Sequence, residues 1–335
     1  MIILGIESSC DETAAALVKY QGGKFKILSN IVSSQIEIHK KYGGVVPEIA
    51  ARNHILNIIP VIDQTLTEAK IKPGQIDKIA VTTGPGLITS LLVGVETAKT
   101  LAYVWKKPII SVNHLKAHLY ANWLNKQPIK FPAIALIVSG GHTELILLRK
   151  RDSRIALSKI GQTLDDAAGE AFDKVAQLLN IGYPGGPIIS KLALKGSPLA
   201  FKFARPMINS NDFNFSFSGL KTSVLYTVQK LKTINYKLKA DICASFQQAA
   251  VDVLAAKTFQ AAKHYNAKTV MLSGGVAANE LLRKTFERSA IGDRLNFLMP
   301  SISFCTDNAA MIAAAAYFEK PTPWQKLGVD PNLEI

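Results

Sequence analysis

The sequence predicts an α/β protein of two lobes built on one duplicated plan, and three observations predict it. At 335 residues the chain exceeds what a single hydrophobic core usually serves, so two packed lobes are expected. A succession of three β-runs followed by helix, strand, helix and strand starts at residue 2 and starts again at residue 133. A short polar turn follows the first strand of each copy, at residues 8–13 and 139–143.

In the first copy, residues 2–6, 14–20 and 26–33 read as a β-meander, with Gln21-Gly22-Gly23 turning between the last two. A helical region over 47–69 leads to a strand at 79–83, a Gly84-Pro85-Gly86 turn, a helix over 87–104 and a strand at 109–112. In the second copy the meander is 133–138, 145–149 and 155–160, with Ser139-Gly140-Gly141-His142 as the first turn. Helices are expected at 166–179, 188–194 and 242–265, then a strand at 269–272, a helix at 278–289 and a strand at 295–299. A last helix over 308–318 follows. The segment 201–239 breaks the plan and reads as an insertion, with Phe213, Phe215 and Phe217 alternating and lysines at 230, 232, 237 and 239. It suits a strand with an apolar face and a solvated basic turn as well as it suits an RNA contact surface. Ligand is expected between the two copies.

Composition narrows the class. With 48% hydrophobic and 19% charged residues the chain can bury a sizeable core and is not of disordered type. No apolar stretch approaches the roughly 18 residues that span a bilayer. Neither a basic leader nor an amphipathic presequence precedes Ile2, so the first residues are expected to belong to the fold. Cys10, Cys243 and Cys305 lie far apart and form no C-x-x-C pair, which suits a reducing, cytoplasmic setting. A formal charge of +14 would attract a polyanion, with RNA as the leading candidate and a lysine-rich genome as the competing explanation.

The chemistry-bearing motifs stand at strand ends. Small residues in the turns at 8–13 and 139–143 let backbone N–H groups approach a phosphate, and the acidic Asp11 and Glu12 can hold a cation or its waters. Ser273-Gly274-Gly275 joins a strand to a helix ahead of Asn279, as a nucleotide loop would. The turn Gly182-Tyr183-Pro184-Gly185-Gly186-Pro187 follows a helix carrying Asp173, and by itself is equally a helix stop. His114 and His118, at i and i+4 where a strand gives way to a helix, have metal-ligand spacing, although two histidines can also simply cap or pack. Asp307 heads the last helix and can be read as its N-cap.

Taken together, residues 5–13 (GIESSCDET), 84–87 (GPGL), 113–118 (NHLKAH), 138–143 (VSGGHT), 165–174 (DDAAGEAFDK), 273–279 (SGGVAAN) and 305–308 (CTDN) resemble the TsaD family of bacterial type, once called O-sialoglycoprotein endopeptidase. They follow the family's order along the chain. The resemblance implies an actin-like fold of the sugar-kinase and heat-shock ATPase superfamily, ribonuclease H-like in each lobe, with a cleft between lobes. The lobes are then expected at 1–112, completed by 305–335, and at 113–304 with the insertion at 200–240.

The resemblance further implies transfer of a threonylcarbamoyl group from threonylcarbamoyl-AMP to N6 of the adenosine next to the anticodon, in tRNAs that read codons beginning with A. It makes His114, His118 and Asp307 ligands of one divalent metal, iron in the family's usual reading, with zinc or magnesium as alternatives. Ile137, Val138, Ser139, Gly140, Gly141, Asp173, Gly186, Gly274, Gly275 and Asn279 become substrate or adenine-nucleotide contacts, and Asp11, Glu12 and His142 catalytic positions. The implied partners are tRNA, a paralogous TsaB-like subunit and a TsaE-like ATPase, with a functional link to a TsaC-like threonylcarbamoyl-AMP synthase. Residues 321–335 carry no feature that can be assigned.

Three other readings compete. A metallopeptidase of H-E-x-x-H type needs a general-base Glu beside its first His, and Leu115 stands there. A small-molecule kinase would use the duplicated lobes but has no need of the His pair. A non-catalytic paralogous scaffold would be free to lose the metal residues, which this chain keeps.

Overall fold

In each copy of the plan the most apolar run is the middle of a sheet. The computed structural model describes residues 1–335 except Lys126, Ser153 and Lys232, so Lys232, one of the insertion's lysines, lies outside the described residues. In chain order the elements are β1 (Ile2–Glu7), β2 (Glu12–Gln21), β3 (Lys24–Ser34), α1 (Ile36–His39), α2 (Pro47–Ala69), β4 (Lys78–Gly84), α3 (Ile88–Trp105), β5 (Ile109–Asn113) and α4 (His114–Tyr120). They continue with β6 (Ala133–Val138), β7 (Thr143–Arg151), β8 (Arg154–Gln162), α5 (Ala168–Leu178), α6 (Gly185–Ala193), α7 (Ser218–Lys230), α8 (Tyr236–His264), β9 (Thr269–Ser273), α9 (Glu280–Gly292), β10 (Asn296–Leu298) and α10 (Ala309–Ala316).

The chain divides into two compact units, Met1–Gln127 with Thr306–Ile335, and Pro128–Cys305. Among the described residues the first holds a sheet of order β3-β2-β1-β4-β5 and the second a sheet of order β10-β9-β6-β7-β8. Both repeat one scheme. The first strand pairs antiparallel with the second and parallel with the fourth, so a meander continues into a parallel half. Even the irregularity recurs, as a register shift between the second and third strands at Leu17/Val18 and at Leu145/Ile146. The duplicated α/β plan read from the sequence is therefore present in both sheets.

Within the first unit, β1 is apolar from Ile2 to Ile6 because both its faces are covered, and only its last residue, Glu7, is charged. Leu4, Ile6, Leu17, Ile79, Val81 and Val95 join Ile58 and Ile62 of α2 in one cluster. α10 lies against β1 and β2, and its eight residues are fully buried. That approach needs the absence of side chains, since a Cβ on Gly5 would come within 2.3 Å of Ala309 O. A run of alanines opposite a glycine is thus a packing code and not a membrane signal. No described helix is long and apolar enough to cross a membrane.

Within the second unit, β6 is buried at every residue, and α8 passes Phe246 and Val253 into a cluster with Phe172, Phe215, Phe217 and Phe286. The insertion differs from the strand expected there. Among the described residues Phe213–Phe217 makes only one β-bridge, Phe215 to Thr163, and turns the rings of Phe215 and Phe217 inward with centroids 6.4 Å apart. The chain then enters α7, a helix of mixed β-branched and polar residues that buries only Leu220 and Val224. Lys230 ends α7, and Lys237 and Lys239 belong to the start of α8, so the insertion's described lysines stand at the two helix ends that flank residues 231–235.

Candidate metal centre and nucleotide turns

The first unit gathers its polar residues at the carboxyl ends of β1, β4 and β5, where open α/β sheets keep their ligands. β5 ends at Asn113, whose Oδ1 accepts the Lys116 N–H at 3.0 Å and so starts α4 at His114. One turn later His118 lies on the same face, and the two rings stand edge to face with centroids 4.6 Å apart. Asp307 arrives from 189 residues further along the chain. It is not the cap of the helix it precedes, because Asn308 takes that role by accepting the Met311 N–H at 3.1 Å.

Freed from capping, the Asp307 carboxylate lies 3.1 Å from His118 Nε2 and 3.5 Å from His114 Nε2. One donor atom from each of the three residues falls within 4.8 Å of the others. Ligands at about 2.0–2.2 Å from a shared ion in tetrahedral or octahedral geometry stand roughly 3.0–3.6 Å apart, and both separations from Asp307 fall in that range, so the three residues can hold a divalent cation. Leu115, where a zincin has its base, is 2% exposed and offers only apolar surface.

Glu7, which received no role from the sequence, completes the arrangement. It ends β1 fully buried, with Oε1 accepting the Ser9 N–H at 2.6 Å and Oε2 accepting the Thr82 hydroxyl at 2.7 Å. Oε2 also lies 3.0 Å from His114 Nδ1. A carboxylate behind an imidazole keeps the proton on Nδ1 and leaves the Nε2 lone pair for a cation. His118 is held differently: among the described residues nothing hydrogen-bonds its buried Nδ1, so packing orients its ring.

Electrostatics point the same way. Burial pushes the Glu7 carboxyl up, but the neighbouring His114 charge and its hydrogen bonds outweigh that and hold it low. Burial opposes a charge on His114, yet Asp307 and Glu7 together raise it to about 9. Glu12 is pushed up to about 10 by burial and by the charges of Asp307 and Asp11, with Ser34 donating to it at 3.0 Å. Burial and the same carboxylates drive the Cys10 thiol well up. Glu12 therefore shares the triad's field, and without a metal the protons on Glu12 and His114 neutralise charge that a divalent cation would neutralise in their place.

The second unit keeps the other sequence-selected residues. Ile137 and Val138 are fully buried in β6, so only their backbone is available to a ligand. The turn beyond them is closed by the Ser139 N–H to His142 O bond at 2.8 Å and by Ser139 Oγ accepting the His142 N–H at 3.2 Å. Gly274 takes φ +90°, and a Cβ there would meet Val138 O at 2.3 Å, so this glycine lets the β9 turn lie against the end of β6. Asn279 caps α9 through the Leu282 N–H at 3.0 Å and donates to Ser190 Oγ at 2.9 Å and Gln247 Oε1 at 2.8 Å. Ser190 in turn donates to Gly186 O at 2.9 Å, which joins two of the selected residues. Asp173 accepts the Gly185 N–H at 2.7 Å and holds that turn. Around Gly140, Gly141, Gly186 and Gly275 the structure leaves open space. Ser190 and Gln247 gave no sequence signal, being ordinary polar positions on helices.

Fold and site together define an α/β protein of duplicated actin-like plan whose first unit carries a His-His-Asp cluster. Solved structures share the fold: HypF from T. kodakarensis matches with a TM-score of 0.62 at 16% identity, over 95% of this chain and 46% of that one. Component A of (R)-2-hydroxyglutaryl-CoA dehydratase from Acidaminococcus fermentans matches with a TM-score of 0.56 at 15% identity, over 95% and 98%. At higher similarity, a protein of Thermosipho africanus named tRNA N6-adenosine threonylcarbamoyltransferase is 54% identical over 100% of both chains. One of Fusobacterium nucleatum with the same name is 53% identical over 95% of this chain and 91% of its own. The model of the TsaD family, tRNA N6-adenosine threonylcarbamoyltransferase, matches residues 26–314, and the chain belongs to that family.

Proposed function

We propose that this chain transfers the threonylcarbamoyl group from threonylcarbamoyl-AMP to N6 of the adenosine adjacent to the anticodon, in tRNAs reading codons that begin with A. The observation that carries the reading is the convergence of His114, His118 and Asp307, backed by Glu7, in a chain of a family named for this reaction. In the reaction a bond forms between N6 and the carbamoyl carbon. The mixed-anhydride C–O bond breaks, AMP leaves with its electron pair, and N6 gives up a proton.

N6 is a weak nucleophile, so the acyl carbonyl must be polarised and the departing phosphate stabilised. His114, His118 and Asp307 would hold a divalent cation, iron by the preference of two imidazoles and one carboxylate, which when bound supplies Lewis acidity toward an oxygen of the substrate. Glu7 keeps His114 in the ligating tautomer. Asp11, Glu12 and His142 are the catalytic positions, and Glu12 is able to take up the N6 proton only once a bound cation has displaced the one it holds. Backbone N–H groups at Gly140, Gly141, Gly186, Gly274 and Gly275 serve the adenine nucleotide, with Asn279 and Asp173 fixing their turns. The adenosine is presented splayed from its loop, as single-stranded RNA permits.

A cytoplasmic setting, a TsaB-like paralogue, a TsaE-like ATPase and a TsaC-like source of the activated substrate complete the proposal. The test is reconstitution from threonine, bicarbonate, ATP, unmodified tRNA and those companions, read by mass spectrometry of the nucleosides. Modified adenosine that appears only when this chain is present supports the reading; its appearance without the chain refutes it.

A further inference from the structure

Residues 321–335 had no assignment in the sequence, yet they make specific contacts at the carboxyl ends of β4 and β5. Leu327 is 4% exposed and belongs to the first unit's core, which anchors the segment. Beyond it the Asp330 N–H donates to Thr83 O at 2.8 Å, and the Gly86 N–H donates to Pro331 O at 3.2 Å. The fit is close: a Cβ on Gly84 would fall 1.8 Å from Asp330 O. The chain then turns, the Leu333 N–H donating to Asp330 O at 3.3 Å, and offers two successive carbonyls to one side chain. Asn113 Nδ2 donates to Leu333 O and to Glu334 O, each at 3.1 Å.

We propose that residues 330–334 are a working part of the cation site, a strap that positions the ligand helix through Asn113. The amide of Asn113 is divided between two tasks. Its oxygen caps α4, which begins with His114, and its two N–H bonds are spent on the strap. α4 is seven residues long, too short to hold its direction by internal hydrogen bonds alone, so the cap and what fixes the cap add to packing and to Glu7 in placing the turn from which the two imidazoles project. The strap reaches the site from a second side as well. Gly86, bonded to Pro331, lies so close to Ser9 that a Cβ there would meet Ser9 O at 2.5 Å, and Ser9 donates to Glu7 and stands 3.3 Å from His114 Nδ1. Asn113 is accordingly a positioning residue, and the strap's main chain is its partner.

The inference rests on reading the triad as a cation site, and one experiment separates the two. Co2+ is titrated into the metal-free chain, into a form lacking residues 330–335 and into Asn113→Ser, with affinity followed by the visible absorption of the bound ion. Serine retains an N-cap acceptor and loses both N–H donors, so helix initiation is preserved while the strap is released. Both altered forms are expected to bind Co2+ about 10-fold more weakly, the lower end of what losing a hydrogen bond made directly to a ligand costs, because Asn113 acts on the helix and not on an imidazole, with Asn113→Ser melting close to the unaltered metal-free chain. Affinities within about twofold of the unaltered chain in Asn113→Ser and the shortened form overturn the strap while leaving the metal reading intact. Failure of the unaltered chain to bind Co2+ overturns both.

Discussion

Glu7→Gln is the sharpest perturbation of the site, because it changes charge and hydrogen-bond sense without changing size. Glu7 accepts three hydrogen bonds, from Ser9 N–H, the Thr82 hydroxyl and His114 Nδ1. An amide cannot accept them all. If its NH2 replaces Oε1, it faces the Ser9 N–H, donor against donor at 2.6 Å. If it replaces Oε2, it faces His114 Nδ1 and favours the tautomer with the proton on Nε2, the atom that must bind the cation. Cation affinity is expected to fall about 10- to 100-fold, or about 1.4–2.7 kcal/mol. Breaking a buried ion pair from one side costs about 3–5 kcal/mol, so the metal-free variant should also melt earlier. Metal titration and calorimetry on the same preparations provide both numbers. Affinity within about twofold of the parent would refute the assignment of Glu7 as the group behind the ligand.

Three further outcomes follow from the same structure. Because His114 is raised to about 9, its charged form stabilises the metal-free fold below about pH 6.5 and that contribution is lost as pH rises through 9. Glu12, raised to about 10, adds a loss in the same direction, so metal-free melting temperature should drop from pH 6.5 to 9 while cation affinity gains about tenfold per pH unit. Asn279→Ala removes the α9 cap and two side-chain bonds, so a loss of about 2–3 kcal/mol and weaker adenine-nucleotide binding are expected by melting and titration, whereas an unchanged nucleotide affinity would remove Asn279 from that site. The +14 chain should contribute counterion release to tRNA binding, so affinity of the assembled system should fall steeply between low and moderate salt, and a flat dependence would exclude a phosphate-contacting basic surface.

Much of the fold was legible because its signals are local. The apolar runs of β1 and β6, the polar turns after them and the order of later elements all sit within short windows, and the duplication multiplied their weight. The site was less evenly readable. His114 and His118 announced themselves by spacing, but Asp307 looked like a helix cap until Asn308 was seen to occupy that role. Glu7 and Thr82 stayed silent because a strand's last carboxylate and a hydroxyl inside an apolar run declare no partner until the sheet aligns β1 with β4. α7 gives no clear helical signal because its β-branched residues favour strand and only two of its side chains are buried. The strap was invisible for a different reason: main-chain carbonyls recognise Asn113 there, and carbonyls carry no sequence identity.

Whether His114, His118 and Asp307 serve transfer to N6 is decided by following the threonylcarbamoyl group itself. Threonylcarbamoyl-AMP carrying isotopically labelled threonine is supplied with unmodified tRNA and the companion proteins, together with either the parent chain or His118→Ala, and the nucleosides are analysed by mass spectrometry. His118 is almost fully buried beside Asp307 and belongs to neither unit's apolar cluster, so its removal takes away one of the three proposed ligands and leaves both clusters intact. Labelled threonylcarbamoyladenosine is expected with the parent, and a folded, metal-poor variant that leaves the adenosine unlabelled. Equal label with both chains would contradict that role.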